Sequence, residues 1–326
     1  MKALVYDAPQ TLTYRDMPDP TPAAGEELIR IESVGICGSD MHAYLGHDER
    51  RPTPLILGHE AAGTIVGGPR DGARVTINPL VSCGTCAFCT SGRDNLCTTR
   101  QIISMQPRQG AFAEWVAIPA RNLVTVTEEV PLAKAALAEP IACGWHTSRL
   151  CRERLPRAEI ALVIGGGAIG LGAALSLTAQ GIEQVTIVEA NVERRAFLTE
   201  QCCQTTLAPD DLLADALFDI VIDGVGYPAT RATASAHAMP GGVIGHIGLG
   251  SAEGGLDIRR MTLQEITFIG TYTYTMQDFR ETAAAIFDGS LGPLDWTESC
   301  ALADGNQAFT DIRAGRVAAP KIILTP

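Results

Sequence analysis

Four cysteines, Cys83, Cys86, Cys89 and Cys97, crowd into one polar, glycine-containing stretch with gaps of two, two and seven residues. Four thiolates at that reach make a closed tetrahedral zinc site, which braces a loop and leaves no open position for chemistry. The bacterial iron-sulfur run places its fourth cysteine three residues on, followed by proline; here the gap is seven and Thr98 follows. Four unrelated buried thiols remain the plain alternative, disfavoured by the density of the cluster. A second set is scattered: Cys37, the pair His59-Glu60, and Glu139. One thiolate, one imidazole and one carboxylate suffice for a catalytic zinc with a position left for water or substrate. Taken singly, Cys37 also reads as a buried thiol and His59 as a satisfied core histidine.

A third motif is dinucleotide chemistry. The apolar run Ile160 to Ile164 leads into Gly165-Gly166-Gly167-Ala168-Ile169-Gly170. A G-x-G-x-x-G that follows a strand and opens a helix gives a tight turn, a close backbone approach to a pyrophosphate and close helix–strand packing. The amides of that helix face the phosphates. Glu189 ends the next apolar run, where a carboxylate binds an adenosine ribose and repels a 2'-phosphate, so NAD is favoured over NADP. Arg194 and Arg195 stand close enough to neutralise such a phosphate, and a solvated helix start is the bland reading of all three.

These groups need elements to hold them. Up to about residue 140 the chain is rich in Gly, Pro and short β-favouring runs at 27–32, 63–66, 73–77 and 114–118, a strand-rich, loop-rich domain. From about Ile160, apolar strands at 160–164, 185–188, 220–222, 243–247 and 266–269 alternate with helical stretches, two of them near 168–180 and 191–201. That alternation means a doubly wound parallel sheet. The alternation ends after 276, leaving a helix near 278–288 and a strand at 321–324. Lys and Arg number 25 against 37 Asp and Glu, for a net charge of -12, which opposes binding to nucleic acid or an anionic membrane. The partner expected is a small molecule. The N-terminus has no apolar signal segment and no run is long enough to span a bilayer, so the expected location is the cytoplasm. Ten cysteines then point to metal or redox chemistry rather than disulfides.

Taken in order, Gly35-Ile36-Cys37-Gly38-Ser39-Asp40-x-His42, Leu57-Gly58-His59-Glu60, the four-cysteine stretch, Gly110-Ala111-Phe112-Ala113-Glu114-Trp115, Glu139-Pro140 and the glycine turn resemble the zinc-containing medium-chain dehydrogenase/reductase family. Within it the chain is similar to the branch of sorbitol and other polyol dehydrogenases. The resemblance covers nearly the whole chain. It implies an α/β fold: a GroES-like catalytic domain, 1–140 plus 272–326, around a Rossmann NAD-binding domain, 141–271. It implies one catalytic zinc on Cys37, His59 and Glu139, with Glu60 as an occasional ligand, and one structural zinc on Cys83, Cys86, Cys89 and Cys97. Asp40 would hydrogen-bond His59 and fix its tautomer; Cys143 is the rival third ligand. Cys151, Cys202, Cys203 and Cys300 read as ordinary thiols. The expected activity is hydride transfer between NAD and a secondary alcohol, a polyol or sugar alcohol. Ser39 takes the hydroxyl proton and His42 delivers it to solvent, unless His42 is only a loop residue. Tyr272 and Tyr274 face the cleft if the boundary is right, although Thr271 to Thr275 also alternates like a plain strand. An amino alcohol, sugar alcohol phosphate or simple alcohol is the alternative substrate, with Arg50, Arg51 and Arg108 available to a phosphate. A non-catalytic NAD-binding protein is the alternative class. A homo-oligomer, dimer or tetramer, is expected.

Overall fold

The computed structural model describes residues 1–326. Two sheets carry the functional residues. Near the N-terminus, strands Lys2–Ala8 and Thr11–Asp16 form a hairpin that also pairs Leu55–Ile56. Beside it lies a seven-stranded sheet. Its spatial order is Leu123–Thr125, Arg74–Ile77, Glu60–Val66, Glu26–Gly35, Lys321–Thr325 and Thr297–Ala301, with Trp115–Pro119 pairing Glu26–Gly35 off that path. Glu26–Gly35 is the hub because it buries Ile29, Ile31 and Val34 and finds ladder partners on both edges.

The second sheet is all parallel. Its six strands run in the order Thr205–Leu207, Gln184–Val188, Ile160–Ile164, Phe218–Asp223, Ala238–His246 and Thr267–Gly270. Ile160–Ile164 is flanked by strands on both edges and covered on both faces, which is why it reads as an unbroken apolar run. Its fully buried Leu162 contributes about 1.5–3 kcal/mol by leaving water. The chain order reverses beside this strand, and ligands bind such sheets at that switch point. Five of these strands are legible in the sequence. Thr205–Leu207 is not, because it is short, polar and only partly covered.

Two elements went beyond the sequence reading. Ala138–Arg154 is a 17-residue helix that opens with Glu139-Pro140. Proline is tolerated there because the first turn leaves its backbone N–H groups without intrahelical partners. This helix packs along Ala168–Ala179, the helix after the glycine turn, so closely that a Cβ on Gly144 would stand 2.5 Å from the Ala173 backbone nitrogen. The C-terminal part holds more than a helix and a strand. After Met276–Phe287 come Thr297–Ala301, helix Gly305–Arg313 and Lys321–Thr325. Met276–Phe287 packs against Ala138–Arg154, where Asp278 accepts from His146 Nδ1 at 2.7 Å and from Arg149 Nε at 2.6 Å. Lys321–Thr325 returns to the first sheet, antiparallel to Glu26–Gly35. Thr271 to Thr275, which alternates like a strand, forms none: Thr273 takes a left-handed φ of 48° and breaks the pleat. No helix is long and apolar enough to cross a membrane.

Candidate active site and metal centres

Cys37 follows the strand Glu26–Gly35 by two residues and caps the short helix Gly38–Tyr44; His59 immediately precedes the neighbouring strand Glu60–Val66, which Glu60 begins. Pairing of Gly35 with Glu60 across that ladder brings the two segments together. The result is a cluster in which the ligand atoms of Cys37, His59 and Glu60 all lie within 4.8 Å of one another. Glu139 stands outside that group, at the start of its own helix, where its Oε1 accepts from the Tyr274 hydroxyl at 2.7 Å. Burial, reinforced by the charge of Glu60, pushes the Glu139 carboxyl up to about 7. Cys143 lies one helical turn on, where burial and the charge of Glu139 push its thiol well up.

The cluster is polarised toward a cation. Glu60 is buried, with Oε1 accepting from Lys321 Nζ at 2.7 Å and Oε2 without a partner. An unpaired buried carboxylate oxygen beside a cysteine sulfur and an imidazole is costly unless a positive ion meets it. Burial disfavours the charged form of His59, yet Asp40 and Cys37 raise its pKa well above the ordinary value. Asp40 Oδ1 lies 3.4 Å from His59 Nδ1 and accepts from Gly58 N at 3.2 Å; its Oδ2 accepts from Cys37 N at 3.1 Å. Ser104, which sequence reasoning missed, lies 3.3 Å from the same Nδ1 through its hydroxyl. His59 Nε2 is thereby left to face Ser39 Oγ, 3.5 Å away. Arg51, buried, gathers this neighbourhood: it donates to Ser104 O and Ser39 O, each at 3.0 Å, and to Asp48 at 2.8 Å. His42, on the same short helix as Ser39, is exposed.

The cysteine stretch closes on itself. Its four sulfurs lie within 4.8 Å, with Cys86–Cys89 at 3.5 Å and Cys83–Cys89 at 3.8 Å, near the roughly 3.8 Å edge that four Zn–S bonds of about 2.3 Å would give. Backbone N–H groups of Thr85 and Cys86 hold the Cys83 thiol down to about 5, while burial and the neighbouring Cys86 push Cys89 up to about 11. All ten cysteines are free. Donor set and spacing fit zinc at both centres.

Between the two sheets lies a cavity of about 480 Å³. Cys37, Met41 and Glu60 line one wall; Gly165, Gly167 and Glu189 line the other, with Ala168, Ile169, Gly170 and Arg194 also on its surface. Gly170 is required: a Cβ there would collide with the Gly165 carbonyl oxygen. Both Glu189 oxygens accept backbone N–H groups, from Gly166 and Asn191, each at 2.7 Å. Neither arginine pairs with that carboxylate. Arg194 donates to Val317 O at 3.2 Å and Arg195 to Glu189 O at 2.7 Å. His246, which has no context in the sequence, stands 3.3 Å from the buried Asp223 at the end of its strand.

Comparison with known proteins bears on this geometry. Residues 23–128 match the alcohol dehydrogenase GroES-like domain and residues 168–288 match zinc-binding dehydrogenase. L-galactonate-5-dehydrogenase of Escherichia coli K12 is 32% identical over 306 residues, 89% of this chain and 88% of that protein. L-threonine 3-dehydrogenase of Streptomyces coelicolor is 32% identical over 338 residues, 97% of each. An alcohol dehydrogenase of E. coli CFT073, solved with NADH, superposes with a TM-score of 0.89 at 25% identity, covering 100% of this chain and 99% of that one.

Proposed function

The chain belongs to the zinc-binding alcohol dehydrogenase family, and from that premise we propose that its cavity oxidises a secondary hydroxyl of a polyol-like substrate with NAD. One observation carries the reading: Cys37 and Glu60 of the metal cluster line the same cavity as the glycine turn, so a metal-held hydroxyl and a nicotinamide can meet there. Zinc would be held by Cys37 and His59 with Glu60 as the carboxylate in reach and Glu139 as the adjacent one, and it supplies Lewis acidity that makes a hydroxyl proton easier to remove at neutral pH. NAD would lie along Gly165 to Gly170 with its ribose at Glu189, and it accepts the hydride.

The remaining work falls to side chains of this chain. Ser39 Oγ, at the metal cluster, takes the hydroxyl proton, and exposed His42 hands it to water. Arg51 fixes Ser39 through the carbonyl and, at 3.4 Å, through the hydroxyl. Lys321 holds one oxygen of Glu60 and keeps the other turned inward. Selection of NAD over NADP is supported by the two arginines being turned to backbone carbonyls, which leaves Glu189 free to repel a 2'-phosphate. Three arginines that a phosphorylated substrate would call on are occupied: Arg50 and Arg51 pair with Asp48, and Arg108 pairs with Glu26. An uncharged polyol therefore fits better than a sugar phosphate. The domain division proposed is 1–140 with 272–326 around 141–271, in a cytoplasmic homo-oligomer. Exposed Ile258 and Leu263, on the helix leading into the edge strand Thr267–Gly270, support a self-contact, which sedimentation would test.

The test is NAD reduction across polyols, sugar alcohol phosphates, amino alcohols and simple alcohols, with zinc-replete and chelator-treated enzyme. Zinc-dependent turnover of a polyol is expected. Absence of turnover despite zinc in the cavity and tight NAD binding would sink the reading.

A further inference from the structure

The four-cysteine lobe lies apart from all three hydrophobic core clusters: none of residues 83–100 joins one. Its polar contacts nevertheless converge on one segment far along the chain. Asn95, only 3% exposed, donates through Nδ2 to the Tyr272 carbonyl at 2.8 Å. Both oxygens of Asp94 lie 3.2 Å from the backbone nitrogen of Met276, the first residue of the 12-residue helix Met276–Phe287, where a carboxylate also meets the positive end of the helix dipole. Arg100 stacks over the Tyr272 ring at 4.6 Å, donates to its hydroxyl at 3.3 Å, and reaches back to the Cys97 carbonyl at 2.9 Å.

Between these two anchor points sit Thr273 and Tyr274. Thr273 is a β-branched residue at a φ of 48° whose Oγ1 is buried without a partner, a backbone state that persists only when its surroundings impose it. Tyr274, fully buried, is the residue that holds Glu139. We propose that the lobe is a brace for the segment that holds Glu139: Asp94, Asn95 and Arg100 are positioning residues that clamp Tyr272 and Met276 and so set Tyr274 against Glu139. With no hydrophobic core of its own, the lobe would be held in shape by a metal ion on its four cysteines. Its metal would therefore matter to the reaction through this clamp as well as to stability. The inference rests on Glu139 belonging to the reactive site.

Asn95→Ala, Asp94→Ala and Asp94→Asn would be compared with the parent enzyme for zinc content, NADH affinity, kcat and KM, and deuterium uptake at 271–278. Asn95→Ala and Asp94→Ala are expected to keep both zinc ions and NADH affinity, to raise exchange at 271–278, and to lower kcat roughly tenfold or more through misalignment. Asp94→Asn, which keeps an oxygen acceptor for Met276 N, should behave as the parent. Unchanged exchange at 271–278 in both alanine variants overturns the brace, and so does a kcat loss that Asp94→Asn shares in full. Exchange is read without substrate, so failure of the brace and failure of the polyol reading are separable.

Discussion

The two cysteine-bearing centres of this molecule are built in opposite ways. The four-cysteine lobe draws its ligands from 15 consecutive residues, 83–97, and exposes Cys83 to solvent. The Cys37–His59–Glu60 cluster is assembled by strand pairing, opens on a cavity shared with the glycine turn, and keeps one carboxylate oxygen unpartnered. Four thiolates would saturate an ion, which would then act by holding shape. Three ligands would leave a coordination position beside the cavity, which is what chemistry requires. Contiguity thus goes with structure, and tertiary assembly with reactivity.

The sharpest way to break this contrast is to empty one centre at a time. Cys37→Ala should lower kcat/KM by about a thousandfold or more and leave one zinc per chain, measured by metal analysis, with the lobe intact. A variant that kept turnover would place the reaction elsewhere. Cys97→Ser should do the reverse. It loses the lobe ion and lowers Tm by roughly 5 °C or more, and activity survives at roughly a tenth of the parent's kcat, because the reactive cluster keeps its own ligands while the clamp on Tyr272 and Met276 loosens; calorimetry, metal analysis and kinetics check it. Tyr274→Phe sharpens the comparison inside the reactive side. It strips one hydrogen bond from a buried carboxylate and should cost about tenfold in kcat/KM, with zinc content unchanged.

The smallest effect is expected away from both centres, at Asp278. Burial works against its charge, but hydrogen bonds from His146, Arg149 and Thr275 outweigh it and hold the carboxyl well below the ordinary range. As pH falls, the unfolded chain takes up that proton first. The stabilisation is therefore complete above about pH 5 and is lost as pH drops through the lowered folded-state value. Asp278→Asn should remove about 1–3 kcal/mol and flatten the acid limb of stability followed by circular dichroism. A variant with an unchanged acid limb would show that the pair His146–Asp278 adds nothing.

What could be seen in the sequence follows the same division. The spacing of Cys83, Cys86, Cys89 and Cys97 and the run Gly165 to Gly170 are local, and local spacing is readable because each group meets a neighbour a few residues away. The lobe's contacts were not. Asn95 meets Tyr272 through a backbone carbonyl 177 positions on, and a carbonyl has no sequence signature. Arg51, read only as available to a phosphate, and Ser104, not read at all, escaped for the same reason, since Arg51 works largely through carbonyl groups, one of them that of Ser104. Glu139-Pro140 was legible as a motif but not as the opening of a helix, because proline more often ends one. The alternation of Thr271 to Thr275 misled because it imitates a pleat that the left-handed Thr273 interrupts.

The pairing of Ile323 with Gly35 and Leu324 with Val34 sets a schedule for assembly. Cys37, His59 and Glu60 leave the ribosome early, yet Lys321, the cation that faces Glu60, is synthesised only after every strand of the parallel sheet. Pairings this distant carry a large loop-closure cost and form late. The cysteine lobe draws on 15 consecutive residues and can close while the chain is still short, whereas the reactive pocket has to wait for its last strand.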